Sequence, residues 1–371
     1  MEQYTGILGI IVLLSISFLL SNNRSLIDKN IIFWGLGLQF SFAFIILKTS
    51  FGEKLFFYFN IFIIKLISFA DAGSDFLFTS FIPEVGYDQA LLNFAFRALP
   101  VIIFFSSLIA VTYHLGIIQF VIKNISLLME KTMKTSGAET LSISANIFVG
   151  QTEAPILIRP YISLMTKSEL MTVMVGGFAT VAGSVMALYV TWLNNIPGIA
   201  GHLLAASVMS APAALMVAKI IYPETKLLKT IKPDKINLKS NDNNIVDAVG
   251  RGATEGLKLA ANVAAMLIAF ISMVAMINFV LGLLGTSMQE ILGLLFKPLA
   301  WTMGIPWKDA EVVGTLMGEK IVLTELIAFR DLSDYVTKNI LSERSIIITS
   351  YALCGFANFG SIGIQLGGIG S

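Results

Sequence analysis

The chain has 371 residues, 56% of them hydrophobic and only 13% charged, with a formal net charge of +1. That balance excludes an ordinary soluble domain, which carries about 25% charged residues, and leaves no basic field for nucleic acid. A single cysteine, Cys354, excludes an internal disulfide, and two histidines, His114 and His202, argue against a metal enzyme. At roughly 20 residues per crossing helix the apolar residues fill about ten spans at most. The sequence reads as an all-α polytopic membrane protein.

The first apolar run, 5–21, follows Glu2 and ends without a small-residue cleavage pattern, so it reads as an uncleaved span. A polar link joins it to a second run, 31–47, and the two form a helical hairpin. Residues 51–70 mix Phe, Ile and Leu with Glu53, Lys54 and Lys65, which suits an interfacial helix. The run 95–121 is long enough to cross with tilt, with Arg97 and Pro100 near its start. Residues 123–140 turn amphipathic and basic. Residues 141–165 are apolar at both ends and polar between, at Gly150-Gln151-Thr152-Glu153-Ala154-Pro155, and neither half is long enough to span. Residues 170–192 form a span interrupted by Gly176, Gly177, Thr180, Gly183 and Ser184, and 203–222 a plainer one. A polar connector, 223–251, carries Lys226, Lys229, Lys232, Lys235, Lys239 and Arg251. Residues 252–284 are the longest helical candidate, and 287–296 look interfacial. A second broken segment, 310–329, holds Lys320, Thr324 and Glu325, and the last run, 346–370, carries Asn358 and Ser361 among glycines. The expectation is seven full spans and two re-entrant hairpins. With the start outside and both hairpins returning to the side they entered, the basic residues collect on one side, the cytoplasm.

The two broken segments hide a repeat. Thr152-Glu153 is matched by Thr324-Glu325, and the spans that follow carry Gly177-Phe178-Ala179-Thr180 and Gly355-Phe356-Ala357-Asn358, each leading to Gly-Ser across a gap that differs by one residue. Under the orientation above the repeats are inverted, the architecture of a secondary transporter. A carboxylate at the centre of a lipid-exposed helix costs about 2.5 to 3.5 kcal/mol on insertion scales, so Glu153 and Glu325 should face protein or a watery cavity. Pro155 removes a backbone donor, and unwound backbone at membrane depth survives only where it lines such a cavity. Free carbonyls at a hairpin tip suit a small cation, and amides and side chains suit a polar solute. Asn358 and Ser361 read equally as ligands or as interhelical hydrogen-bonders.

At Asn146-Ile147-Phe148-Val149-Gly150-Gln151-Thr152-Glu153-Ala154-Pro155 the chain resembles the concentrative nucleoside transporter family, and the blocks 261–270 and 354–358 match family blocks too. The resemblance covers nearly the whole chain. It implies a cation-coupled nucleoside importer of the cytoplasmic membrane, a homotrimer with a scaffold part and a mobile transport part. It assigns Gln151, Thr152 and Glu153 to the nucleobase, and Glu325, Asn358 and Ser361 to the ribose hydroxyls. Phe356 would pack near the base, Val185 would line the pocket and Leu259 would close it. The family's sodium site would fall on the side chains of Asn146 and Thr180 and the carbonyls of Val149 and Val181. The Gln-Thr-Glu-Ala-Pro form favours sodium as the coupling ion over a proton, with no organic cofactor.

The implied organisation is an N-terminal scaffold part over 1–140, a first transport repeat over 141–222, a connector over 223–251, scaffold again over 252–296, and a second repeat over 310–371. One further transmembrane helix, present in the family, is expected beyond Ser371. A proton-coupled nucleoside or other solute symporter is the alternative within transport. An integral membrane enzyme would show a metal cluster or a nucleophile with its base, and a channel a polar stripe along one continuous helix. The polar residues sit at hairpin tips instead.

Overall fold

The computed structural model describes residues 2–79, 94–151, 153–226, 240 and 242–370, and the regular elements among them are helices. Helices α1 (Glu2–Leu19) and α2 (Lys29–Lys48) form the opening hairpin. In the link, Arg24 donates to the carbonyls of Phe18 at 3.2 Å and Leu19 at 2.8 Å, supplying partners that the end of α1 lacks within its own ladder.

The next two elements differ from the sequence expectation. The stretch read as interfacial belongs to α3 (Ser50–Phe78), a 29-residue helix apolar and long enough to cross a membrane. Thr49 caps it through the Gly52 amide at 3.0 Å, and the Lys65 ammonium lies 5.1 Å from the centre of the Phe69 ring, where the aromatic face accommodates the charge. The run 95–121, read as one span, is divided into α4 (Phe94–Arg97), α5 (Leu99–His114) and α6 (Ile117–Met133). The divide falls at Gly116, whose φ of +81° lies in the left-handed region that glycine enters freely. Hydropathy averaged along a window does not register a single such turn.

The first broken segment comprises α7 (Gly137–Asn146), α8 (Glu153–Leu157) and α9 (Arg159–Ile162). Helices α10 (Lys167–Ala179) and α11 (Gly183–Trp192) follow as one span with a non-helical break over 180–182, and α12 (Ile199–Ile221) closes the set. After the long α13 (Ile245–Gly282) and α14 (Met288–Thr302), the order recurs. Helices α15 (Ala310–Val322) and α16 (Glu325–Thr337) make the second hairpin, and α17 (Glu343–Leu353) and α18 (Phe359–Gly370) are parted by a break over 354–358. By length and composition, six helical segments among the described residues are able to cross a membrane: 29–46, 50–78, 95–114, 167–192, 199–221 and 245–282. Against the seven spans expected, α3 is added, 5–19 is shorter than the rest, and 346–370 is split.

Packing places the two hairpins around α11 and α12. The largest apolar cluster joins Leu188 and Tyr189 of α11, Leu203 of α12, Leu316 of α15, Phe329 of α16 and Leu353 of α17, all fully buried. Helix α13 meets α5 through glycines: a Cβ at Gly252 would stand 2.6 Å from Ser107 Cα, and one at Gly256 2.7 Å from Ile103 Cα. Such close backbone approach is how helices associate where no hydrophobic driving force separates protein from lipid. A buried ion pair anchors the base of the first hairpin. Glu139 of α7 lies 2.8 Å from Lys219 of α12, which also donates to Ser168 of α10 at 3.0 Å.

Candidate functional site

The tip of the first hairpin is the non-helical stretch between α7 and α8; Thr152 within it lies outside the described residues. Glu153 opens α8, is exposed, and accepts from the Gly150 amide at 3.0 Å. Its carboxylate thereby caps its own tip, satisfying one of the donors a helix start leaves free. The second tip is shorter. Thr324 caps α16 through the Ile327 amide at 3.4 Å, and Glu325, the first residue of that helix, is only 3% exposed.

Glu325 is fully engaged by groups from two other elements. Its Oε1 accepts from the Tyr189 hydroxyl at 3.1 Å, and its Oε2 from Asn358 Nδ2 at 2.7 Å. Asn358 in turn accepts at Oδ1 from the Ser361 amide at 2.8 Å, so one amide side chain both holds the carboxylate and caps α18. Tyr189 stacks on Phe329, ring centres 4.1 Å apart, which fixes its hydroxyl in place. Lys320 donates to the Ala352 carbonyl at 2.9 Å, tying the second hairpin to the end of α17.

The two breaks meet at the repeated Gly-Phe-Ala. Gly355 has a φ of +134°, and a Cβ there would stand 2.7 Å from the Phe178 carbonyl oxygen. Only glycine permits that crossing. Gln151 of the first tip accepts at Oε1 from Gln365 Nε2 of α18 at 3.1 Å. Val185, Leu259 and Phe356 all belong to or pack against the apolar cluster that contains Tyr189. Ser361 is 2% exposed beside Asn358. Thus the structure brings Glu325, Asn358 and Ser361 together and links Gln151 to α18, while Glu153 stands apart on the first tip. Sequence reading passed over Tyr189 and Gln365. The signal available for both was a polar group within an apolar helix, which needs a partner once buried.

The four residues assigned to sodium lie at the end of α7 and along the two adjacent non-helical stretches. Phe148 accepts from the Gly183 amide at 3.0 Å, and a Cβ at Gly150 would stand 3.7 Å from Ala182 Cβ. Asn146 ends α7, is 1% exposed, and neither end of its amide has a hydrogen-bond partner among the described residues. Burying such a group unpaired costs about 1–3 kcal/mol. Thr180 donates to the Gly176 carbonyl at 3.2 Å, which leaves its hydroxyl lone pairs for another partner. Val149 and Val181 are buried at the same stretches. Amide, hydroxyl and carbonyl oxygens are a donor set for a hard monovalent cation at unwound helix ends. Among the described residues, no group of three His, Cys, Asp or Glu forms a site for a transition metal.

Residues 8–81 and 202–371 match the family models of the Na+ dependent nucleoside transporter N-terminus and C-terminus, and 95–195 match a nucleoside recognition model. Sodium/nucleoside cotransporter 1 of Mus musculus is 42% identical over 100% of this chain and 59% of its own length. The chain therefore spans about three fifths of that relative. The uncharacterized transporter YutK of Bacillus subtilis is also 42% identical, over 100% of this chain and 91% of its own. The structure of CNTnw in an inward-facing substrate-bound state superposes with a TM-score of 0.91 at 39% identity, covering 100% of this chain and 89% of that one. A variant of CNTnw in an outward-facing state gives 0.90 at the same identity and coverage.

Proposed function

The chain belongs to the Na+-dependent nucleoside transporter family, a multi-pass membrane family, and from that premise we propose that it imports nucleosides by sodium-coupled symport. The observation that carries the reading is the buried carboxylate of Glu325, positioned by Tyr189 and Asn358 at the tip of the second hairpin. A carboxylate accepts from ribose hydroxyls, and the paired hydroxyls of a ribose match its two oxygens. Asn358 and Ser361 complete the ribose side. Gln151, Thr152 and Glu153 of the first tip meet the nucleobase, with Phe356, Val185 and Leu259 as its apolar walls.

Sodium would bind through Asn146, Thr180 and the carbonyls of Val149 and Val181, on the stretch that also forms the first tip. Occupying that site would give the Asn146 amide oxygen a partner and so order the tip that receives the base. Coupling then follows from linkage: an ion that stabilises the binding-competent tip raises nucleoside affinity by the same factor that nucleoside raises ion affinity. The hairpin-bearing repeats, 141–222 and 310–371, are the mobile part, and 1–140 with 252–296 the scaffold of a homotrimer in the cytoplasmic membrane. The close α5–α13 crossing supports a rigid scaffold, and the Glu139–Lys219 pair supports the first hairpin and α12 moving as one body.

Uptake of labelled uridine and adenosine into vesicles, with and without an inward sodium gradient, tests the reading. Stimulation by the gradient is expected for the wild type. Uptake indifferent to sodium overturns the coupling, and wild-type uptake by Glu325→Gln overturns the ribose site.

A further inference from the structure

We propose that Gln365 is a specificity-determining residue: it fixes which end of the Gln151 amide is presented to the nucleobase, making the first tip a hydrogen-bond donor to the base. The inference rests on the nucleoside reading of the site. Gln365 lies in α18, is 1% exposed, and its Nε2 stands 3.1 Å from the Met174 carbonyl oxygen and 3.1 Å from Gln151 Oε1. A backbone carbonyl only accepts. The end of Gln365 that faces Met174 is therefore its NH2, and because the same NH2 meets Gln151, the near atom of Gln151 is its oxygen. The Gln151 NH2 is left with both hydrogens, and no described residue accepts from it.

Gly177 makes room for this arrangement. A Cβ there would collide with Gln365 Nε2 and stand 3.2 Å from Gln151 Cβ. The glycine that opens the first Gly-Phe-Ala motif thus permits α10, α18 and the first tip to pack around one amide. Met174 and Gln365 act on the base only through Gln151, so Gln365 is a positioning residue.

A tip that donates favours a base presenting a keto oxygen over one presenting an amino group at the same edge. Binding of uridine, cytidine, inosine and adenosine to the purified protein in sodium, each as a dissociation constant, tests this. The wild type is expected to favour the keto base in each pair. Gln365→Met frees Gln151 to turn over, and the keto-to-amino preference should fall about fivefold, the discrimination of one neutral hydrogen bond. The preference for ribose over 2′-deoxyribose should not move, because it does not pass through Gln151. In Gln151→Leu the preference is likewise lost, and adding Gln365→Met changes it no further. Should Gln365→Met fail to fold, Gly177→Ala displaces the same amide and is expected to lower the same ratio. An unchanged ratio in the variants overturns the inference, as does an equal loss for all four nucleosides. Wild-type protein that binds none of them overturns the nucleoside reading as well.

Discussion

The two hairpins carry the same Thr-Glu dipeptide but treat its carboxylate in opposite ways. In the first, the tip is long and unwound, Glu153 is exposed and, among the described residues, bonded to its own Gly150 amide, and the rigid contact is at the base, where Glu139 meets Lys219. In the second, the tip is short, Glu325 is buried, and side chains from α11 and the 354–358 break lock it from both sides. The difference follows from what each tip can reach. The first faces its own unwound backbone, where the Gly150 amide meets the carboxylate. The second is pressed against two other elements, so its carboxylate must find donors there or remain an unpaired buried charge. One tip is therefore left adaptable, and the other holds its carboxylate fixed.

Variants can break that contrast. The largest effect is expected at the rigid tip. Glu325→Ala leaves the Tyr189 hydroxyl and the Asn358 amide unpaired, a loss of about 3–5 kcal/mol, and uridine affinity should fall by 100-fold or more by equilibrium binding. Glu153→Ala should cost no more than about tenfold in the same assay, since its partner amide can turn to water. Equal effects at both sites would remove the distinction drawn between them.

Asn146→Leu tests the adaptable tip. Thermal stability in detergent should hold or rise, because an unpaired buried amide is replaced by an apolar side chain of similar volume, while half-saturating sodium rises at least about tenfold, the equivalent of about 1.4 kcal/mol. At the base of the same hairpin, Lys219→Met should lower stability by about 3–5 kcal/mol by leaving Glu139 buried and unpaired, and the double variant Lys219→Met with Glu139→Leu should recover most of it. Tyr189→Phe removes one hydrogen bond to Glu325 while keeping the stack on Phe329. Uridine affinity should drop about fivefold, matching roughly 1 kcal/mol.

The smallest effect is expected where neither hairpin is touched. Arg251, in the second turn of α13, bonds Asp242 of the connector at 2.6 Å and holds that carboxyl down to about 2. Because the folded value lies below the unfolded one, near 3.9, this contribution to stability is complete above about pH 4 and is lost as pH falls toward 2. Melting temperature measured against pH should show the loss only in that window, and Asp242→Asn should leave uptake within about twofold.

Much of the site was legible before the fold. Gln151, Glu153, Glu325 and Asn358 are conspicuous because polar residues within apolar runs are expensive in a membrane, and the matched Gly-Phe-Ala motifs point to the crossing that Gly355 makes with Phe178. What escaped were partners distant in sequence. Tyr189 reaches Glu325 across 136 positions, and Gln365 reaches Gln151 across 214. The boundaries of α3 and of the α5–α6 break escaped for a different reason: hydropathy counts the Lys65 charge in full although the Phe69 ring accommodates it, and it does not register a single left-handed glycine.

The low charge content, the broken segments and their repetition came from the amino-acid order alone, because insertion into a membrane is a local free energy summed along the chain. Which of the two glutamates is locked and which way Gln151 turns were decided only by tertiary structure. Those are questions of hydrogen-bond satisfaction away from water, and each is answered by a partner from another helix.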